Sequence, residues 1–364
     1  MAEKILHIVI ERIKSTIFRS VLCCSLVALI TPSCETDRIH ESDWFNYSIS
    51  GYIEANSDEY SKFHRLMSER AIENTLYGYN PYGDGYTLFL PTDEAIDQYI
   101  QQESYIASFE ELLLDTGLVS EFCRYHVVDE KVATGDFPYG ALEDRTFTGD
   151  RLVIDYYEGE DNPLIVVNDQ APIIASNIEL TNGYIHIISS VLQRTDITGY
   201  EWLQQQEDYS ILAQAMELAG ISDRLEWNHY TLLAEHDSVY ALEGIYTIDD
   251  LVDRVGNPDF PYWDESNSFY QFTAFHVLRN DYYLNDLDWG ERYYRTLGWD
   301  YLNITTGVEI RINPGVDDYT VVTANNDTIE YDYIRINWDH CNIPTSSGPV
   351  HSISNILSSG KFSE

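Results

Sequence analysis

The chain has 364 residues, with 21 Lys+Arg against 61 Asp+Glu, a formal net charge of −40, and 44% hydrophobic residues. That length favours two domains over one core, and the apolar share is ample for packing, which excludes wholesale disorder. The acidity excludes charge-driven binding to nucleic acid or to an anionic membrane surface, since both need clustered Lys and Arg.

The first element is a targeting segment over residues 1–33. Lys4, Arg12, Lys14 and Arg19 form a basic start, Val21 to Ile30 is apolar apart from Ser25, and Thr31-Pro32-Ser33 is small and turn-prone. That order is a secretory signal peptide. Its apolar run is shorter than the ~20 residues of a transmembrane helix. Cys34 directly after the small residues resembles the lipidation site of bacterial lipoproteins, where the mature chain begins at the modified Cys. The alternative is an ordinary signal peptide with an incidental Cys. Glu35-Thr36-Asp37 is similar to the acidic signals that send lipoproteins of Bacteroidetes-type bacteria to the outer cell surface. The expectation is therefore an exported outer-membrane lipoprotein facing the cell exterior, with residues 34–48 as a tether and a lipid anchor supplying attachment. Cys123 and Cys341 are the two Cys left beyond Cys34. Their apolar and aromatic neighbours favour buried free thiols over one long-range disulfide, and no CxxC zinc spacing exists.

Beyond the tether the same elements occur twice. Each copy opens with an amphipathic helix, carrying Tyr60, Phe63, Leu66, Met67 and Ile72 in one and Tyr209, Leu212, Ala213, Met216 and Ala219 in the other. A buried strand follows, Thr87-Leu88-Phe89-Leu90 running into Pro91-Thr92-Asp93, against Thr231-Leu232-Leu233-Ala234 running into Glu235-His236-Asp237. Thr92 or Asp93 in the first copy, and Asp237 in the second, are the cap candidates of the next helix. Short helices opened by Ser108 and Thr247 come next, ending near Gly117 and Gly256. Phe122-Cys123-Arg124-Tyr125-His126-Val127-Val128 then matches Phe272-Thr273-Ala274-Phe275-His276-Val277-Leu278. Asn182-Gly183-Tyr184-Ile185-His186 closes one copy and Ser347-Gly348-Pro349-Val350-His351 the other. β-type stretches such as 152–157, 164–167, 308–312 and 333–336 lie between. Helices first and strands later, twice over, indicate an α+β fold with a seam at 195–199.

The proline turn at 87–96, Tyr125-His126-Val127-Val128 and Asn182-Gly183-x-x-His186 resemble signature stretches of the fasciclin family. The resemblance covers about 49–195 well and 200–357 more weakly, so 196–364 is expected to be a divergent copy with an aromatic insertion at about 282–301. It implies two tandem domains, each a β-strand wedge flanked by several short helices, with adhesion or ligand-binding roles and no catalysis. It further implies partner binding by Tyr125 and His126, with Phe275 and His276 as their counterparts. The alternative for these residues is structural: a His flanked by Val and Phe is a core residue bonded to backbone, as are His186 and His351.

No HExxH, GxSxG elbow, P-loop or EF-hand spacing is present, and Gly83-Asp84-Gly85 lacks the remainder of a dinucleotide fingerprint. The expectation is no enzyme, no cofactor and no metal. Asp317-Asp318 and Asn325-Asn326-Asp327 could offer oxygen ligands to Ca²⁺, but solvated loops explain them more simply. The 29 Tyr and 7 Trp motivate a second class, glycan binding in a polysaccharide-uptake system. Trp289, Tyr293, Tyr294 and Trp299 are its candidates, because sugar rings stack on exposed aromatic faces; the alternative is that these rings are core. The partner is thus a protein or glycan ligand at the cell surface, and not nucleic acid.

Overall fold

The computed structural model describes residues 47–70, 72–158, 163–225, 229–298, 300–306, 310–312 and 334–357. The targeting segment, Cys34, Trp299, Asp317-Asp318 and 325–327 lie outside the described residues. Among the described residues no helix is long and apolar enough to cross a membrane.

The first copy is organised by Tyr86–Pro91 (β1), apolar apart from Thr87 and buried at every position. Such a run belongs inside a sheet. β1 pairs antiparallel with Val127–Val128 (β2) and parallel with Gly183–Ile188 (β7), with Tyr86 opposite Gly183 and Pro91 opposite Ile188. Gly140–Arg145 (β3), Arg151–Tyr157 (β4), Leu164–Val167 (β5) and Ala171–Leu180 (β6) extend the sheet antiparallel, in the order β2-β1-β7-β6-β5-β4-β3. Helices Ile49–Ala55, Ser61–Glu69, Ile72–Tyr77, Asp93–Gln102, Phe109–Leu114 and Thr116–Tyr125 complete this half. Phe63, Leu66 and Met67 of the second helix are fully buried, each contributing about 1.5–3 kcal/mol of apolar burial.

The second copy repeats this plan. Tyr230–Glu235 (β8) pairs antiparallel with Val277–Arg279 (β9) and parallel with Val350–Ile353 (β14). Gly290–Arg295 (β10), Tyr301–Thr306 (β11), Arg311–Ile312 (β12) and Ile334–Arg335 (β13) form an antiparallel sheet in that order. Isolated bridges Ile336–Ile353 and Ile343–Val350 are what the segment after β13 makes with β14, where β6 and β7 share a bulged ladder. The helices are Gly199–Gln205, Ser210–Leu218, Ser222–Leu225, Asp237–Leu242, Ile248–Val255 and Ser268–Phe275. Mixed helices and strands in both halves make the fold α+β.

Two expectations change here. The segment 282–301 is not an insertion. Val128 bridges Thr146 and Leu278 bridges Thr296 at the same spacing, and the single-turn helices Thr134–Asp136 and Leu284–Asp286 correspond. Aromatic residues have replaced others within matching elements, and the added length falls between β12 and β14. Asp237 does not cap its own helix. His236 does so, its ring accepting from the Ser238 N–H, while Asp237 accepts from the N–H groups of Ser210 and Ile211, 3.1 and 3.0 Å away. Thr92 caps in the first copy, freeing Asp93 to take the Lys62 N–H at 2.9 Å. In both halves a carboxylate after the strand thus satisfies the N-terminus of an earlier helix, where the dipole favours negative charge.

Candidate functional site

The residues expected to meet a partner are interior. Tyr125, His126, Phe275 and His276 are all buried, so the folded surface does not present their rings to a protein, and their environment is the structural alternative given for them. His126 donates from Nδ1 to the Phe122 carbonyl at 2.7 Å and accepts the Leu192 N–H at Nε2, 3.1 Å away. Two backbone partners require one donor and one acceptor, which is the neutral imidazole. Burial pushes its pKa down to about 4. His186 and His351 are held alike, accepting from Asn177 and Asn342 N–H groups and donating to the carbonyls of Val132 and Tyr282. Burial lowers both to about 4. His276 keeps the carbonyl bond, to Phe272 at 2.9 Å, but its Nε2 meets Glu235 Oε1 at 2.6 Å. Glu235 stands at the place of Pro91 and also accepts the Leu357 N–H at 2.8 Å.

The aromatic candidates divide. Trp289 and Tyr293 are 74% and 66% exposed. Tyr293 shares a face of the β10–β11 pair with Tyr301, lying diagonally across the ladder. Tyr294 points the other way, as strand alternation demands. It is buried in the core with Leu302 and Ile304, its hydroxyl accepting the Asp288 N–H, so it cannot stack on a sugar. Tyr283 is buried too, beneath the Arg151 guanidinium, 5.1 Å from ring centre.

Arg151 leads to the feature that the sequence did not reveal: a cleft between the halves. The halves pack as one compact unit. Arg151 forms a two-point pair with Asp286 at 2.5 and 2.9 Å. Beside it, Asn285 accepts from the Ala141 N–H and donates to the Ala141 carbonyl, at 3.0 and 2.9 Å. A side-chain amide thereby satisfies part of the outer edge of β3, where Arg151 Nε also reaches the Leu142 carbonyl and the Asp129 N–H the Arg145 carbonyl. A β-carbon on Gly140 would sit 2.1 Å from Asn285 Oδ1, so only glycine admits this contact.

Next to this seam opens a cavity of about 680 Å³. The first half contributes Tyr139, Tyr156, Tyr157, Asp155 and the turn at Asn168-Asp169, and the second contributes Trp202, Gln206 and the segment 338–344. Asn168 and Asp169 have φ of 54° and 55°, the left-handed pair of a tight hairpin turn that Asn and Asp tolerate. Tyr139 joins the two sides: its ring stacks on Tyr156 at 6.4 Å and meets Trp338 edge-on at 5.6 Å. Tyr157 donates to Asp169 Oδ1 at 2.6 Å. Asp155 has its pKa pushed up to about 6, first by burial and then by the charge of Asp169. Cys341 also lines the cleft; it and Cys123 are free thiols, and burial pushes Cys341 up to about 11. Among the described residues no cluster of three or more His, Cys, Asp or Glu is arranged to hold a metal. The arrangement offers stacking faces and hydrogen-bond acceptors, and no nucleophile paired with a base. Only the Asn-Asp turn and the paired Tyr156-Tyr157 could have hinted at it, because its walls come from distant parts of the chain.

Comparison with known proteins places part of the chain in a family. The fasciclin domain model matches residues 58–194, and this segment belongs to the fasciclin family. Transforming growth factor-beta-induced protein ig-h3 of Sus scrofa is 24% identical over 158 residues, 43% of this chain and 22% of that protein. Stabilin-2 of Rattus norvegicus is 32% identical over 111 residues, 30% of this chain and 7% of that protein. The chain therefore spans less than a quarter of these relatives. A solved fasciclin domain pair from the insect cell adhesion molecule Fasciclin I aligns with TM-score 0.34 and 16% identity, covering 82% of this chain and 96% of that one.

Proposed function

We propose that this protein is a non-catalytic cell-surface lipoprotein whose two fasciclin-like halves, 49–195 and 196–364, mediate adhesion or protein-partner binding. The fasciclin match over 58–194 carries the reading. The repeat of strand order and pairing in the second half supports treating it as a divergent copy. The neutral histidines support a binding rather than catalytic protein, because each spends both ring nitrogens on hydrogen bonds inside the core. The basic, apolar and small residues before Cys34 support export and lipid attachment, with an orientation toward the cell exterior. Cys34→Ala is expected to move the protein from the membrane fraction to the soluble exported fraction. Retention of the variant in the membrane would sink the lipoprotein reading. Partner capture by intact cells displaying the wild-type protein tests adhesion itself.

A glycan-binding role in polysaccharide uptake is the second reading. The exposure of Trp289, Tyr293 and Tyr301 favours it. Trp289→Ala with Tyr293→Ala is expected to lower retention on a polysaccharide affinity gel, and unchanged retention would remove it.

A further inference from the structure

We infer that the cleft between the halves receives a Lys or Arg side chain of a protein partner, stacked on the Trp338 and Tyr139 rings and paired with Asp155, Asp169 and Asp339. This rests on the adhesion reading and specifies the partner's chemistry.

Charge supplies the first argument. Three carboxylates line the cavity and no Lys or Arg does. None of the three forms an ion pair among the described residues, whereas Asp97, Asp150 and Asp286 elsewhere all pair with basic side chains. Asp155 is half-buried and repelled by the charge of Asp169, with Asp339 exposed on the same wall, and a guanidinium or ammonium entering between them relieves that repulsion. The chain's −40 charge also steers basic partners inward and repels anionic ones.

Shape supplies the second. Trp338 and Tyr139 are 48% and 39% exposed and contribute aromatic faces from opposite halves. A cation over such a face gains from the ring's quadrupole.

The third comes from comparing the copies. Asn177 and Asn342 occupy equivalent left-handed positions, φ 59° and 53°, each donating its backbone N–H to a buried His. Asn177 also gives its side-chain N–H to Thr134 Oγ1 at 2.7 Å. The residue corresponding to Thr134 is Leu284, which has no acceptor. Asn342, 1% exposed and lining the cleft, is left with an unpartnered Nδ2. A peptide carbonyl accompanying the basic side chain would supply the missing acceptor. A neutral sugar could also do so, but it would leave three carboxylates uncompensated.

The groups facing Asp155 are Asp169, Tyr157, Tyr139 and Cys341, with Asp339 and His340 also on the cleft wall. Asp155 has its pKa pushed up to about 6, so affinity for a cation falls as pH drops through that value.

The test uses the full mature chain and a short capped Gly-Ser peptide carrying two Arg, with its citrulline analogue as neutral control. Titration calorimetry and tryptophan fluorescence report binding at pH 7.5 and low salt. The Arg peptide is expected to bind at least about tenfold more tightly than the citrulline peptide. Asp155→Asn and Trp338→Ala are each expected to weaken it about tenfold, as are 0.5 M salt and pH 5. Equal affinity for the two peptides, no binding of either, or binding unchanged in both variants overturns the proposal. So does salt-insensitive binding of a neutral oligosaccharide such as cellohexaose or xylohexaose at this cleft. Partner capture by cells that survives Trp338→Ala would also overturn it while leaving the adhesion reading intact; failure of capture by the wild type would count against the adhesion reading instead.

Discussion

His126, His186 and His351 each join two stretches of backbone through a neutral ring, which makes the fold sensitive to acid. A free His titrates near 6.5, and burial holds these three at about 4. Between those values the unfolded chain binds more protons than the folded one. Their contribution is therefore complete above pH 6.5 and is lost as pH falls toward 4, on the order of 3 kcal/mol for each ring. Asp155 opposes this, since its folded pKa lies above the ordinary value and its cost disappears as it protonates. The urea midpoint is expected to fall steeply from pH 7 to 4.5, and more steeply in Asp155→Asn. A flat profile would show that the histidines do not limit acid stability. The sequence offered a core role for each of these His, for His126 beside a partner-binding one, but not the Glu235 partner of His276. That pairing depends on β8 and helix Ser268–Phe275 meeting in space.

At the scale of elements, the most informative comparison is where each copy's last strand begins. A β-carbon on Gly183 would lie 1.9 Å from the Tyr86 carbonyl oxygen, and one on Gly348 2.0 Å from that of Tyr230. Backbone, not a movable side chain, is the obstacle, so Gly183→Ala and Gly348→Ala are each expected to cost at least about 2 kcal/mol in urea unfolding. Gly149 has φ +93° but open space around it, and Gly149→Ala is expected to cost only about 1 kcal/mol. Equal losses at all three would refute the close-approach argument. The preceding residue has diverged: Asn182 ties Ile49 N–H to the carbonyls of Leu76 and Gly78, whereas the Ser347 hydroxyl holds the Gly199 N–H and the neighbouring Thr345 hydroxyl. The His and Gly spacing was readable because short-range geometry imposes it. What Asn182 bonds was not, since its partners lie more than a hundred residues away.

For the whole molecule, the Arg151–Asp286 pair, with side chains 11% and 24% exposed, is the main ionic link between halves. Removing one member of a mostly buried pair leaves the other uncompensated. Arg151→Ala is expected to cost about 1–3 kcal/mol of interdomain coupling and to split one calorimetric unfolding transition into two. A single unshifted transition would show that the halves are coupled by other contacts. Such a variant would also open the cleft, because Tyr139 and Trp338 stay in register only while the halves remain docked.

The sequence alone determined what is local or periodic. The helix faces with Phe63, Leu66 and Met67, the buried strands at 86–91 and 230–235, the doubled order of elements and the core histidines all follow from spacing and burial preference. Tertiary structure decided what depends on convergence. It buried Tyr125 and Phe275, turned Tyr294 inward beside an exposed Tyr293, and showed 282–301 to be a substitution within matching elements. It also brought Tyr139, Asp155 and Trp338 together across the seam. No periodicity links those three positions; their proximity comes from two copies docking through Arg151 and Asn285, and docking geometry is written in neither copy by itself.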